Sequence, residues 1–347
     1  MASNTLTLTR PDDWHLHLRD GPMLARTVAD TARCFARAIV MPNLVPPVTT
    51  VAAAADYRQR ILAAAPEGSE FEPLMTLYLT ERTTAEEIRT AADSGYVHAV
   101  KYYPAGATTN SESGVTDFRR AYPVFEAMQA CDLPLLLHGE VTDGDVDVFD
   151  REAVFIEAHL QPLVNDFPAL RTVLEHVTTA EGVEFVRSAG PKVAGTITVH
   201  HLMLNRNDLF KGGLRPHHYC LPLAKREHHR AALLGAATGG DPSFFLGTDS
   251  APHARSAKES ACGCAGIYTA PNALELYAEV FEAADALQRL EAFASFHGPD
   301  FYGLPRNTGQ LTLERRPWTV PPVVDGGGEP VVPFRADGEV AWRLVNP

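Results

Sequence analysis

Two histidines spaced by two, His15 and His17, open the chain's inventory of reactive residues. Side chains alternate between the faces of a β-strand, so both imidazoles point one way while Trp14 and Leu16 point the other. Arg19 keeps the same parity if the strand geometry persists, which would set two metal-type nitrogens and a guanidinium on one face. Taken alone, the pair reads equally as two histidines on a polar strand face.

Lys101, His138, His176 and Asp249 each close a predicted β-run. Six ligand-type residues distributed in this way over several strand ends favour a dinuclear metal site facing the mouth of a βα barrel, where catalytic side chains collect. Lys101 is the odd member, because an ammonium cannot ligate a cation. Reaction with carbon dioxide would turn it into a carbamate, whose two oxygens can bridge two metals; the other reading is a lysine that pairs with a carboxylate or an anionic substrate.

The elements that must position these residues follow from periodicity. Short apolar runs at 13–17, 38–42, 72–79, 97–102, 133–138, 171–176, 192–199 and 244–249 alternate with helical patterns at 23–35, 51–65, 84–94, 118–130, 151–166, 180–188 and 225–236. That alternation predicts βα units around a parallel sheet. Thr84 with Glu87 fits a capping box, and Thr179 is placed to cap the helix after it. Helical patterns at 272–284 and 286–296 follow the last strand, and the Pro- and Gly-rich stretch beyond Arg315 reads as loops and short strands rather than a second domain.

At 347 residues the length leaves a single large barrel open, and 45% hydrophobic with 21% charged residues is the ordinary composition of a soluble globular protein with a sizeable core. A net charge of −13 argues against nucleic acid or an anionic membrane surface as partner. Cys34, Cys131, Cys220, Cys262 and Cys264 are odd in number and scattered, unlike a disulfide framework, so reduced thiols and a cytoplasmic location are expected. No apolar stretch is long enough to span a bilayer or serve as a signal peptide.

Several features are set aside. Cys262 and Cys264 are closer together than the usual structural zinc pair and read as free thiols in a tight turn. His200 and His201 are expected to end a strand, and His228 and His229 to sit on a helix with side chains about 100° apart. Gly326, Gly327 and Gly328 read as a flexible turn. The segment 105–114 (AGATTNSESG) has the composition of a mobile loop or of an ordinary surface connection.

The run 11–20 (PDDWHLHLRD), Met41-Pro42-Asn43, Lys101-Tyr102-Tyr103-Pro104, Leu137-His138-Gly139-Glu140, 247–253 (GTDSAPH) and 258–266 (KESACGCAG) resemble the short bacterial-type dihydroorotases of the amidohydrolase superfamily. Asn205-Arg206-Asn207, Arg215-Pro216 and Cys220-Leu221-Pro222 extend the likeness from Leu6 almost to the C-terminus. The resemblance implies a TIM (β/α)8 barrel with short terminal extensions, one domain over residues 1–347 with the tail 315–347 packed on it. It implies two Zn²⁺ per subunit, His15, His17 and Asp249 on one, His138 and His176 on the other, bridged by N6-carboxylated Lys101 and a hydroxide. Arg19, Asn43 and His253 would hold the substrate carboxylate, while His138, Leu221, Ala265 and Gly266 complete the substrate contacts. Thr108 and Thr109 would close over it from the flexible loop.

The implied activity is the reversible cyclisation of N-carbamoyl-L-aspartate to L-dihydroorotate in pyrimidine synthesis, by a cytoplasmic homodimer. Asp249 is expected to act both as ligand and as general acid and base. A hydantoinase or allantoinase would share the metals, but Arg19, Asn43 and His253 speak against it. A catalytically dead scaffold subunit should have lost ligands, and all six are present.

Overall fold

The computed structural model describes residues 4–345. Eight parallel strands form its centre: β2 (Asp13–Leu16), β3 (Arg37–Val40), β4 (Glu72–Tyr78), β5 (Val97–Tyr102), β6 (Leu135–Leu137), β7 (Thr172–Leu174), β8 (Val193–Ile197) and β9 (Phe244–Leu246), hydrogen-bonded in that order. Asp249 N donates to His15 O at 2.7 Å and His17 N to Ser250 O at 3.0 Å, which brings the last strand's continuation back to the first. The eight predicted strands are therefore all present, one to three residues shorter at several ends. Helices such as Val51–Ala64, Ala85–Asp93, Ala180–Ser188 and Glu227–Thr238 lie between them in sequence, the arrangement of a TIM barrel.

Strand alternation builds the interior. Ile39, Leu74, Ala99, Leu136, Val173, Ala194 and Phe245 form a buried floor with Trp14, while their neighbours Val40, Met75, Val100, Leu137, Leu174 and Leu246 join the cluster under the helices. Two residues further along each strand, the same parity lifts Lys101 above Ala99, His138 above Leu136 and Glu175 above Val173.

One expectation about the first strand is corrected. Asp13 pairs with Ala38 but Leu16 with Val40, so β2 carries an extra residue, a bulge. Trp14 consequently joins the barrel floor, whereas Leu16 packs in the outer shell, and the two do not share a face as simple alternation requires. Nor does strand parity deliver Arg19: β2 ends at Leu16, and Arg19 has a left-handed φ of 61°.

Trp14 is fully buried and stacks on Tyr302 at 4.4 Å. A Cβ at Gly298 would fall 1.9 Å from the indole Nε1, so the close approach of the helix His297–Tyr302 demands glycine there. Gly298→Ala should destabilise the fold by about 1–3 kcal/mol through overpacking, read as a lowered midpoint in denaturant unfolding; an unchanged midpoint would show that the floor yields.

The short strands expected beyond Arg315 are present, and the departure at the ends is at the N-terminus. Residues 5–9, not foreseen as a strand, form β1 (Thr5–Thr9), which pairs with β10 (Gln310–Thr319), itself paired with β13 (Glu339–Leu344) in a separate antiparallel sheet. A hairpin of β11 (Val324–Asp325) and β12 (Pro330–Val331) encloses the triple glycine. β13 lies on the helix Ala273–Ala283, with Ala341 N donating to Glu279 at 2.6 Å and Trp342 fully buried. His200 and His201 do not end a strand; Thr198 caps a short helix, Val199–Met203, that contains them, because its hydroxyl captures the amide of His201.

The Thr84 box is half formed: Thr84 Oγ1 accepts from Glu87 N at 3.1 Å, but the Glu87 carboxylate accepts from Val51 N instead. Thr179 does cap its helix, accepting from Gly182 N at 3.0 Å. No helix among the described residues is long and apolar enough to cross a membrane.

Candidate metal and substrate site

At the C-terminal mouth of the barrel, His15, Lys101, His138, His176 and Asp249 are each no more than 5% exposed, and His17 is 9% exposed. Ring centroids of His15 and His176 are 5.0 Å apart, and those of His138 and His176 4.9 Å. Asp249 Oδ1 lies 3.2 Å from His17 Nε2 and 3.4 Å from His15 Nε2. Donor atoms of His15, His176 and Asp249 fall within 4.8 Å of one another, a span that one cation can bridge.

Two of these residues reach the interior by unusual backbone. His176 has φ 41° and Asp249 φ 44°, left-handed values that non-glycine residues adopt at a cost. The turn at His176 lets it and Glu175, adjacent in sequence, both face the site, which alternation would forbid.

Burial and neighbouring charges fix the protonation states. Burial first, then nearby Lys101, pushes His15 and His176 well below the usual histidine range, leaving neutral imidazoles with free lone pairs. For Asp249 burial acts upward, but the hydrogen bond from His17 and the electrostatics of the surrounding His15, His17 and Lys101 outweigh it and hold the carboxylate near 2. Burial lowers Lys101 to about 8, with Glu175 and Asp249 opposing.

The donor set fits a metal centre. Lys101 Nζ and His176 Nδ1 are buried with no hydrogen-bond partner among the described residues, and orphaned groups of that kind are costly unless something binds them. Behind the front rank, Glu175 Oε2 sits 2.9 Å from His15 Nδ1 and Glu140 Oε2 2.9 Å from His138 Nε2. Carboxylates in that position orient ligating imidazoles. Sequence reasoning gave neither glutamate this role, although Glu140 stands within a quoted motif and Glu175 directly precedes a candidate ligand.

The substrate-side residues gather opposite. Asn43 Oδ1 meets His17 Nδ1 at 2.8 Å, and Asn43 Nδ2 donates to Thr109 O at 3.0 Å. Thr109 Oγ1 donates to Ala265 O at 3.3 Å, and Asn110 to Asn43 O at 3.1 Å, so the 105–114 loop lies over the mouth. Arg19, Asn43, Thr108, Thr109, Leu221, Ala265 and Gly266 line one cavity with Asp249 and the four histidines His15, His17, His138 and His176; Tyr103 and Ala251, not singled out from the sequence, line it too. Lys101 and His253 stand one layer back, His253 Nε2 being 3.0 Å from both Arg19 Nη2 and Ala265 O.

The cavity measures about 20 Å³, room for a water but not for a ring, with Thr108 and Thr109 among the residues that line it. A roomier groove of about 600 Å³ runs elsewhere past Thr80, Glu81, Glu87 and Glu112, but its lining holds no histidine and only one cation, Arg82. The chemistry belongs to the smaller cavity.

His200, His201 and Cys220 form a second buried cluster. Its central imidazole is already occupied: His201 Nδ1 meets Thr198 Oγ1 at 2.8 Å and Nε2 meets Pro222 O at 3.0 Å. Cys262 and Cys264 are free thiols 3.8 Å apart in a turn with left-handed backbone at Gly263 and Cys264.

The Amidohydrolase family model matches residues 12–321. A dihydroorotase of Nitrosococcus oceani is 64% identical over 342 residues, 99% of either chain. This chain belongs to the dihydroorotase family. Solved structures agree with the assignment. A dihydroorotase from Saccharomyces cerevisiae, in complex with 5-fluoroorotic acid, superposes with a TM-score of 0.91 at 35% identity, covering 98% of each chain. One from Campylobacter jejuni does so at 0.91 and 36%, covering 99% of this chain and 98% of its own. Membership implies a metal cofactor and small-molecule substrates, which the buried nitrogen and oxygen donors and the enclosed cavity fit.

Proposed function

We propose that the chain works as a dihydroorotase, a hydrolase of cyclic amides: it interconverts N-carbamoyl-L-aspartate and L-dihydroorotate, the third step of pyrimidine (UMP) synthesis. The carrying observation is one enclosed cavity in which metal-type donors face Arg19 and Asn43. Two Zn²⁺ would be held by His15, His17 and Asp249 on one side and His138 and His176 on the other, with N6-carboxylated Lys101 between them. When bound they supply Lewis acidity at the ring carbonyl and a water that ionises at neutral pH.

The chain's own residues do the rest. Arg19, its Nε donating to Pro252 O, offers a planar fork to the substrate carboxylate, with Asn43 and His253 beside it. Backbone groups at Leu221, Ala265 and Gly266 meet the ring amides. Asp249, ionised and positioned by His17, takes the proton of the attacking water as the new C–O bond forms, then gives it to the ring nitrogen as the C–N bond breaks. In the biosynthetic direction the ureido nitrogen loses its proton to Asp249 and water departs. Thr108 and Thr109 exclude bulk water when the loop is closed.

Thr109→Ala removes the hydroxyl that docks on Ala265 O. Steady-state turnover should fall about tenfold, within the range of a lost gating contact, while metal content stays at the wild-type level; loss of metal instead would put Thr109 in the fold of the centre. The substrate assignment is tested by comparing L-dihydroorotate with dihydrouracil, the same ring without its carboxylate. Strong preference for the former supports the role of Arg19, and equal rates contradict it. We read the chain as a single domain, 1–347 with the tail 315–347 on the barrel, acting as a cytoplasmic homodimer; sedimentation of the purified protein at twice the chain mass supports the dimer.

A further inference from the structure

Lys258, in the short helix Arg255–Lys258, is 3% exposed and does not line the cavity. Its ammonium donates to Tyr219 O at 2.8 Å, Cys264 O at 2.7 Å and Gly266 O at 2.9 Å. An ammonium has three protons, and all three are committed to neutral carbonyls. A buried charge held in this way, with dipoles for partners, is costly to keep. A purely apolar side chain of similar length would pack there at less expense, which calls for a reason beyond packing.

The three carbonyls supply that reason. Tyr219 leads directly into Cys220 and Leu221, and Cys264 and Gly266 flank Ala265, so the ammonium fastens together the two backbone segments whose residues Leu221, Ala265 and Gly266 line the cavity. Gly266 N also donates to Tyr219 O at 3.0 Å, a second tie between the same segments. The stretch 263–266 is not self-supporting: Gly263 has φ 70°, Cys264 φ 31° and Gly266 φ 151°. A Cβ at Gly266 would lie 2.5 Å from Ala251 O. Such backbone persists only where its surroundings over-determine it. The same stretch carries Ala265 O, on which both Thr109 Oγ1 and His253 Nε2 converge.

We propose that Lys258 is a positioning residue for substrate recognition: its ammonium staples the 219–221 and 264–266 segments at the spacing that lets their backbone groups read the two ring amides together. It touches neither substrate nor metal. This deepens the dihydroorotase reading and rests on it. Removing the staple loosens a contact made alike to ground and transition states, so binding suffers more than chemistry.

The test compares wild type, Lys258→Met and Lys258→Arg in L-dihydroorotate kinetics, with metal content and 5-fluoroorotic acid affinity measured on the same samples. Methionine keeps the length and removes the donors; arginine keeps the charge, but its planar fork cannot converge on the same three carbonyls. Both variants should raise KM and weaken 5-fluoroorotic acid binding, each about tenfold, with kcat within about threefold of wild type and metal content unchanged. If the methionine variant does not fold, the arginine variant decides. KM and analogue affinity within twofold of wild type, or lost metal together with a fallen kcat at unchanged KM, would overturn the proposal. Wild type that does not open L-dihydroorotate at all would instead overturn the dihydroorotase reading beneath it.

Discussion

Asp249→Ala should lower ring opening of L-dihydroorotate by about 10³-fold or more, the upper range for removing a positioned acid–base group. The carboxylate is held ionised in a buried place, chiefly by the hydrogen bond from His17, so it stands in the proton-accepting form throughout the neutral range. Its φ of 44° turns it inward from beyond the end of β9, a conformation that alanine would have no reason to keep. Two losses then coincide: the proton carrier between water and ring nitrogen, and one donor of the His15, His17 and Asp249 group. Near-normal rates in this variant would remove Asp249 from the chemistry.

Lys101→Met should be as damaging, with turnover down about 10³-fold, on the scale of losing a metal-activated nucleophile, and bound metal reduced. Lys101 is fully buried on β5, and its Nζ has no partner among the described side chains or backbone. Burial brings the amine down to about 8, so a usable fraction is unprotonated and nucleophilic toward carbon dioxide near neutral pH. Methionine has nearly the same length and would satisfy the apolar wall of Tyr103, 5.2 Å away, without offering a carbamate. Wild type given ¹³C-labelled bicarbonate should show a carbamate carbon resonance that Lys101→Met lacks. Wild-type metal content and rate in the variant would make Lys101 an ordinary buried lysine.

The barrel was legible because parallel strands buried on both faces write themselves as short apolar runs between helices. Lys101 and His138 were legible as candidates at strand ends, and the structure shows each continuing the parity of a floor residue, Ala99 and Leu136, whereas Asn43 came only from the family resemblance. Where backbone departs from alternation, strand parity misplaced Trp14 and did not explain how the named candidates Arg19, His176 and Asp249 face the cavity. The β2 bulge moved Trp14 to the floor, and left-handed turns rather than strand parity aimed Arg19, His176 and Asp249. Periodicity carries no signal for a residue whose φ changes sign.

Contacts distant in sequence were hidden as well. The alternating threonines and leucines of residues 5–9 are a period-two pattern, but their partner strand begins at Gln310, some three hundred residues away. Glu140 and Lys258 stood inside quoted motifs but, like Glu175, had no role until the fold buried them behind His138, the Ala265 segment and His15. Charge alone does not announce burial, and the value of each lies in what it holds still.

The most direct test of the account is the rate of L-dihydroorotate ring opening by the purified protein, assayed beside hydantoin and allantoin, with metal content determined on the same sample. Fast turnover of dihydroorotate alone, abolished by a chelator and accompanied by about two zinc ions per chain as a dinuclear centre requires, is the predicted result. Turnover of hydantoin in its place, or two bound metals with no turnover of any cyclic ureide, would contradict it.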